Sequence, residues 1–347
     1  MFEVVVTLCL LSNPDICRAA LVPGVAAETL PACRALLADA DFETLAWPAE
    51  VFAGVPRCTA SGPVAQFDEV APGLFVHRGM ISDADPMNAG DVANVGFIIG
   101  ARAVAVIDSG GSRKTGEAIY RAVRSQTALP IDYVILTHMH PDHALGASVF
   151  VQAGAEVVGH AGLPRALQDR QDSYLNSFGA RIGFPAFLGT AVVLPDLVVD
   201  DVLELDLGDR RLALQAWPNA HSSSDLTAGD PLTGILFTGD LMFHDHAPSL
   251  DGSVLGWRAT LTRLQAMPYT RIVPGHGGPL LDWPQGAAGL AAYLETLIAD
   301  TRAAIAQGLP LRDAVAMVAQ SQAGAWQLFD LFNPRNATVA YTELEWE

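Results

Sequence analysis

Residues 131–145, reading I-D-Y-V-I-L-T-H-M-H-P-D-H-A-L, constrain this chain more than any other stretch. Residues 133–136 are an apolar, β-rich run that reads as a buried strand, and His138, His140, Asp142 and His143 follow within six positions. The end of a strand is where an α/β protein builds its sites. In a turn there, H-x-H would aim alternate imidazoles at one point. D-H two positions on would serve a second point beside it, which is two-metal geometry. The competing reading is a polar loop with satisfied histidines. It suits a single histidine better than four ligand types placed just past a strand.

The run T-H-M-H-P-D-H resembles the T-H-x-H-x-D-H signature of the metallo-β-lactamase fold superfamily. The rest of that family's pattern follows in order: His221 in W-P-N-A-H, Asp240 in L-F-T-G-D and His276 in V-P-G-H-G. The resemblance covers about residues 67–283 and implies an α/β fold, the αββα sandwich of the metallo-β-lactamase type. It implies one metal held by His138, His140 and His221, a second held by Asp142, His143 and His276, and Asp240 bridging both. It also implies that Asp108, at the end of a strand over 103–107, supports the site from behind the ligands.

Composition narrows the partners. The chain has 347 residues, half of them hydrophobic, so it can bury a large core. With 20 basic against 38 acidic residues the formal charge is −18, which repels phosphate backbones, so nucleic acid is not expected as a partner. All four cysteines, Cys9, Cys17, Cys33 and Cys58, lie in the first 58 residues. A clustered even count without C-x-x-C spacing points to two disulfides and an oxidising compartment, with three connectivities open. No stretch reaches the 18 or so apolar residues of a membrane span. The start lacks the basic segment of a signal peptide. Export to the periplasm would therefore need a signal removed or lying upstream, and a cytoplasmic location stays open.

Taken in order, the chain divides into a small Cys-bearing unit at 1–62, a catalytic domain at 63–285 and a helical extension at 286–347. Within the first unit, 4–11 reads as a strand, 17–21 and 31–37 as short helices, and 53–63 as a Gly/Pro/Ser linker. The main domain begins with strands at 74–77 and 92–99, joined by a loop bearing Asp83, Asp85, Asn88 and Asp91 that would border the site. A strand at 103–107, a helix at 115–124 and the central strand make a β-α-β run. Further on, 163–178 reads as helix, 178–190 as a loop over the pocket, and 197–199, 202–205, 211–216, 235–237 and 271–273 as strands. His160 has no partner in the ligand pattern and reads as structural. Helices are expected at 255–267, 287–307 and 311–320.

The Cys-bearing start, the segment 245–253 and the tail 336–347 resemble one branch of the superfamily, the zinc metallohydrolases of quinoprotein relay systems, related to a hydrolase of thiosulfate-oxidation clusters. That likeness implies a periplasmic quinoprotein or cytochrome as partner and a small molecule as substrate. Two zinc ions per chain are expected, although iron or manganese would also suit these ligands. The reaction expected is hydrolysis of an ester, thioester or lactone-like bond, with Asp142 passing a proton to the leaving group. His246, which that branch retains, would stand at the pocket wall and donate to the developing oxyanion. Asp240 stands where true metallo-β-lactamases place Cys or Ser, which argues against antibiotic hydrolysis. Two alternatives remain: an iron-dependent enzyme resembling persulfide dioxygenases, and a non-catalytic binding or maturation factor for a quinoprotein system.

Overall fold

The computed structural model describes residues 1–40, 45–278 and 280–347. Two sheets stack face to face. One has seven strands in the order Leu197–Val199, Glu156–His160, Ile131–Leu136, Val104–Ile107, Val95–Ile99, Leu74–His77 and Asp68–Ala71. Its first four run parallel and the remainder pair antiparallel. The other has six, in the order Val202–Asp206, Arg211–Ala216, Leu226–Asp230, Ile235–Phe237, Arg271–Val273 and Leu281–Asp282. All its pairs are antiparallel except Ile235–Phe237 with Arg271–Val273.

Side chains alternate across a strand, so each sheet can turn an apolar face to the other. Ile98, Ala105, Ile107 and Ile135 meet Leu214, Ala228, Ile235 and Phe237 in one buried cluster. Gly96 lets the sheets close, because a Cβ there would collide with the ring of Phe237. Helices cover the outer faces. Arg113–Gln126, Ser148–Gln152 and Leu163–Ile182 pack on the seven-stranded sheet. Val254–Gln265, Ala288–Ala306 and Phe329–Leu344 pack on the six-stranded one. This is the αββα sandwich that the ligand motif implied. Among the described residues no helix is long and apolar enough to cross a membrane.

A third sheet lies at the N-terminus, where Phe2–Leu10 pairs with Asn13–Ala27, Val51–Ala53 and Arg57–Ala60. Cys9 and Cys17 face each other on the first of these ladders and are bonded, and Cys33 is bonded to Cys58. Among the described residues no cysteine is free. Ion pairs tie this sheet to the sandwich: Arg18 to Glu117 at 3.0 Å and Arg121 to Glu3 at 2.8 Å. Fully buried Arg113 donates to Glu117, Gln152, Ser148 and the Leu21 carbonyl. Its guanidinium is thus paired and hydrogen-bonded, as burial of a charge demands.

Several local expectations are corrected. Residues 17–21 are strand and not helix, because the ladder to Phe2–Leu10 outweighs the helix propensity of C-R-A-A-L. The supposed linker contains the strand Arg57–Ala60, which carries Cys58. The loop expected at 178–190 is largely helical, with Leu163–Ile182 running on and Phe184–Phe187 forming another turn. The helix expected at 311–320 stops at Val315. Asp300 there accepts from the Ala319 amide at 2.9 Å, and Ala319 adopts a left-handed φ of 58°. The strand Leu226–Asp230 was not anticipated.

Candidate metal centre

Four chain segments deliver ligand atoms to one end of the sandwich. The strand Ile131–Leu136 leads to His138, and the short helix Pro141–Ala144, with His140 as its N-cap, carries Asp142 and His143. His221 lies in the turn after Arg211–Ala216, Asp240 in the turn Gly239–Leu241 after Ile235–Phe237, and His276 just past Arg271–Val273. These residues form two groups able to hold a metal: His138, His140, His221 and Asp240, and beside them Asp142, His143 and His276.

In the first group His140 Nδ1 is 3.0 Å from both His138 Nε2 and His221 Nε2, and Asp240 Oδ2 is 3.4 Å from His221 Nε2. In the second, His276 Nε2 is 3.2 Å from Asp142 Oδ2 and 3.4 Å from His143 Nε2. Asp240 turns its other oxygen to this group, with Oδ1 at 3.1 Å from His143 Nε2 and 3.4 Å from His276 Nε2. Bonds of about 2.1 Å in a tetrahedron would set ligand atoms about 3.4 Å apart. The spacings observed are of that order.

Each imidazole is anchored on its far side. His143 Nδ1 lies 2.8 Å from Asp108 Oδ2, His221 Nδ1 2.6 Å from the Ser249 carbonyl, and His276 Nδ1 2.9 Å from the Val92 carbonyl. His140 Nε2 lies 3.3 Å from Asp251 Oδ2. Thr137 Oγ1 donates to Asp108 and so is free to accept from His138 Nδ1 at 3.0 Å. With the outer nitrogen of every ring facing an acceptor, the N–H is placed outside and a lone pair inside. Lone pairs and carboxylates then converge with no donor between them. Asp240 Oδ1 is buried without a hydrogen-bond partner, and Gly275 leaves it room where a Cβ would collide. This donor set fits divalent cations.

Electrostatics point the same way. Burial pushes His138 well below the ordinary imidazole range and His221 down to about 3. Burial also opposes the charge on His276 and His143, but the carboxylates outweigh it. Asp240 and Asp142 raise His276 to about 9, and Asp240, Asp108 and Asp142 raise His143 well above its usual value. Burial would raise Asp240, yet the surrounding rings hold it far below the carboxylate range. The carboxylates thus call for positive charge at the point where the rings converge, and a divalent cation meets that call without a proton on nitrogen.

Asp142, Asp240, His140 and His276 open onto a pocket of about 240 Å³. His246 is in its wall, buried, with its ring centroid 4.8 Å from both His276 and Phe332. His246 Nδ1 lies 2.6 Å from the Ala247 carbonyl, and burial lowers its pKa to about 4. The ring is therefore neutral with its proton on Nδ1, and Nε2 is an acceptor. An oxyanion donor at this position would need a proton on Nε2 as well. Ser82, Asp83 and Ala84 border the pocket, as the acidic loop was expected to. His160 is structural, accepting from the Gly162 amide and facing the Trp217 carbonyl at 3.1 Å.

Sequence reasoning missed four residues that matter here. Tyr174 lines the pocket, and burial raises its phenol so that it stays protonated. Arg335 lines it from the last helix. Asp251 anchors His140 and also faces Arg170 at 3.4 Å. Asn336, 1% exposed, accepts from the Leu250 amide at 2.9 Å and donates to the Pro248 carbonyl at 2.6 Å, fixing the loop that supplies Ser249 and Asp251.

Known proteins share this architecture. A family profile described as the Metallo-beta-lactamase superfamily matches residues 89–276, more than half of the chain. The inverting sec-alkylsulfatase Pisa1 from Pseudomonas sp. superposes with a TM-score of 0.61 at 18% identity, over 81% of this chain and 50% of its own. This chain thus spans about half the length of that protein. A metallo-beta-lactamase from Pontibacter korlensis gives 0.54 at 18% identity, over 66% of this chain and 98% of its own. The FIM-1 metallo-beta-lactamase from Pseudomonas aeruginosa, in its mono-zinc form, gives 0.52 at 19%, over 67% and 96%. At such identities these structures speak to fold, while the family match spans the motif, Asp240 and His276. The chain belongs to the metallo-beta-lactamase superfamily.

Proposed function

We propose that this protein is a dinuclear zinc hydrolase acting on an ester, thioester or lactone-like bond in a small molecule. The observation that carries this reading is Asp240, which offers one oxygen to each donor group. When bound, the metal pair supplies a nucleophile effective at neutral pH and a Lewis acid for the carbonyl oxygen. His138, His140 and His221 would hold one ion, Asp142, His143 and His276 the other, and Asp240 both.

The remaining work falls to this chain's side chains. Asp142 has Oδ2 in the second donor group and also lines the pocket, so its other oxygen can carry a proton to the leaving group. His246 Nε2 accepts a hydrogen bond from substrate or holds a proton in transit. Tyr174, protonated, donates to substrate oxygen. The two disulfides support an oxidising compartment. Placement in the periplasm, and a quinoprotein or cytochrome as partner, follow from the branch resemblance.

Metal analysis joined to a substrate panel tests the reading. Protein purified without chelator should hold about two zinc ions per chain and turn over at least one ester, thioester or lactone. One iron per chain with oxygen uptake on a persulfide would establish the sulfur-oxidising alternative instead. His246→Ala should leave metal content intact and lower kcat about 10²-fold, the order for a lost acid–base group. Unchanged kcat would reduce His246 to a wall residue.

A further inference from the structure

The pocket wall opposite the ligand cluster comes largely from two helices, Leu163–Ile182 and Phe329–Leu344. Each contributes one guanidinium. Arg181, on the first, is neutralised by Asp83. Arg335, on the second, lines the same pocket, and among the described residues it makes neither an ion pair nor a hydrogen bond. The ring of Phe332 lies 5.8 Å from its guanidinium carbon.

The backbone under Arg335 is held in register with the metal centre. Residues at i, i+3 and i+4 share a helix face, and Phe332, Arg335 and Asn336 are so related. Phe332 packs on His246 with ring centroids 4.8 Å apart. Buried Asn336 bonds both Pro248 and Leu250. With its neighbours pinned on either side, the Arg335 side chain rises from a fixed point on the rim. In a chain of net charge −18, an unneutralised guanidinium at the rim gives an approaching anion a local attraction.

We propose that Arg335 is the residue that selects the substrate, binding an anionic group such as a carboxylate on the fragment remote from the scissile bond. The planar fork of arginine suits a two-oxygen anion better than a point charge does. This rests on the hydrolase reading for the reaction, but the binding role stands apart from turnover and can be tested without it.

Zinc-loaded full-length protein is assayed with a neutral chromogenic ester, 4-nitrophenyl acetate, and an anionic one, mono-4-nitrophenyl succinate. The ratio of kcat/KM, anionic over neutral, should fall about 10- to 100-fold in Arg335→Gln, the order of one charge-assisted hydrogen bond. Arg335→Lys should recover part of it. An unchanged ratio overturns the proposal. If wild type hydrolyses neither ester, the hydrolase reading fails for these substrates and calorimetry decides the inference alone. Succinate should bind wild type about 10-fold or more tightly than Arg335→Gln, and a parallel ethanesulfonate titration tells carboxylate from sulfonate. No binding to wild type, or equal affinity for both proteins, overturns it.

Discussion

Asp240→Ala should empty both metal positions together. Asp240 Oδ2 faces His138 and His221, Oδ1 faces His143 and His276, and the carboxylate is 3% exposed. Without it, five histidines and Asp142 would have to offset two divalent charges, and the rings of the two groups would lose the anion that joins them. Changing a residue behind the ligands commonly costs about 10–100-fold in metal affinity, so loss of a shared ligand should exceed about 100-fold at each position. Asp108→Ala supplies the comparison. It removes the anchor of His143 and the acceptor of Thr137, and should weaken the second position within that smaller range. Metal content after equilibrium dialysis reads both, with circular dichroism confirming that the variants are folded. If Asp240→Ala retains wild-type occupancy, the bridge is misassigned.

The candidate ligand set was legible because each member sits in a short motif past a strand, where sequence neighbours become spatial neighbours. His138 to His143 are placed by one strand and one turn, and Asp240 and His276, like the supporting Asp108, each follow a short apolar run that reads as a strand. Apart from Asp108, the anchors of those ligands were not legible. Asp251 reaches His140, and Asn336 reaches the loop before Asp251, through tertiary contacts spanning 111 and 86 positions respectively. No local pattern marks such a residue, and an asparagine inside a helix reads as an indifferent surface choice until its partners are known.

The fold shows the same division. The αββα arrangement followed from the family resemblance of the ligand motif, yet Leu226–Asp230 escaped because its residues, L-T-A-G-D, are mostly small or polar although the strand is buried throughout. There, burial is imposed by strands on both sides and not by side-chain hydrophobicity. Cys17 was likewise misplaced in a helix. Its partner across the ladder, Cys9, sets the local structure, and pairing of this kind is visible only once the strands are aligned.

Asn336→Leu should weaken one metal position selectively, although residue 336 touches no ligand. Its side chain bonds the Leu250 amide, the Pro248 carbonyl and the Tyr293 hydroxyl, and leucine of similar size leaves the first two unpaired while the hydroxyl keeps its bond to Asn333. Each such loss costs about 1–3 kcal/mol, so the melting temperature should drop by several degrees. The loop released, 247–251, carries the Ser249 carbonyl that orients His221 and the Asp251 carboxylate that orients His140. His143 and His276 are oriented by Asp108 and Val92, on other segments. Affinity at the His138, His140 and His221 position should therefore fall about 10–100-fold, while the Asp142, His143 and His276 position changes little. Titration of the apoprotein with zinc against a chromophoric chelator resolves the two affinities. A melting temperature that falls while both affinities hold would make Asn336 a purely structural residue. Equal weakening at both positions would mean that the last helix supports the centre as a whole and not through this loop.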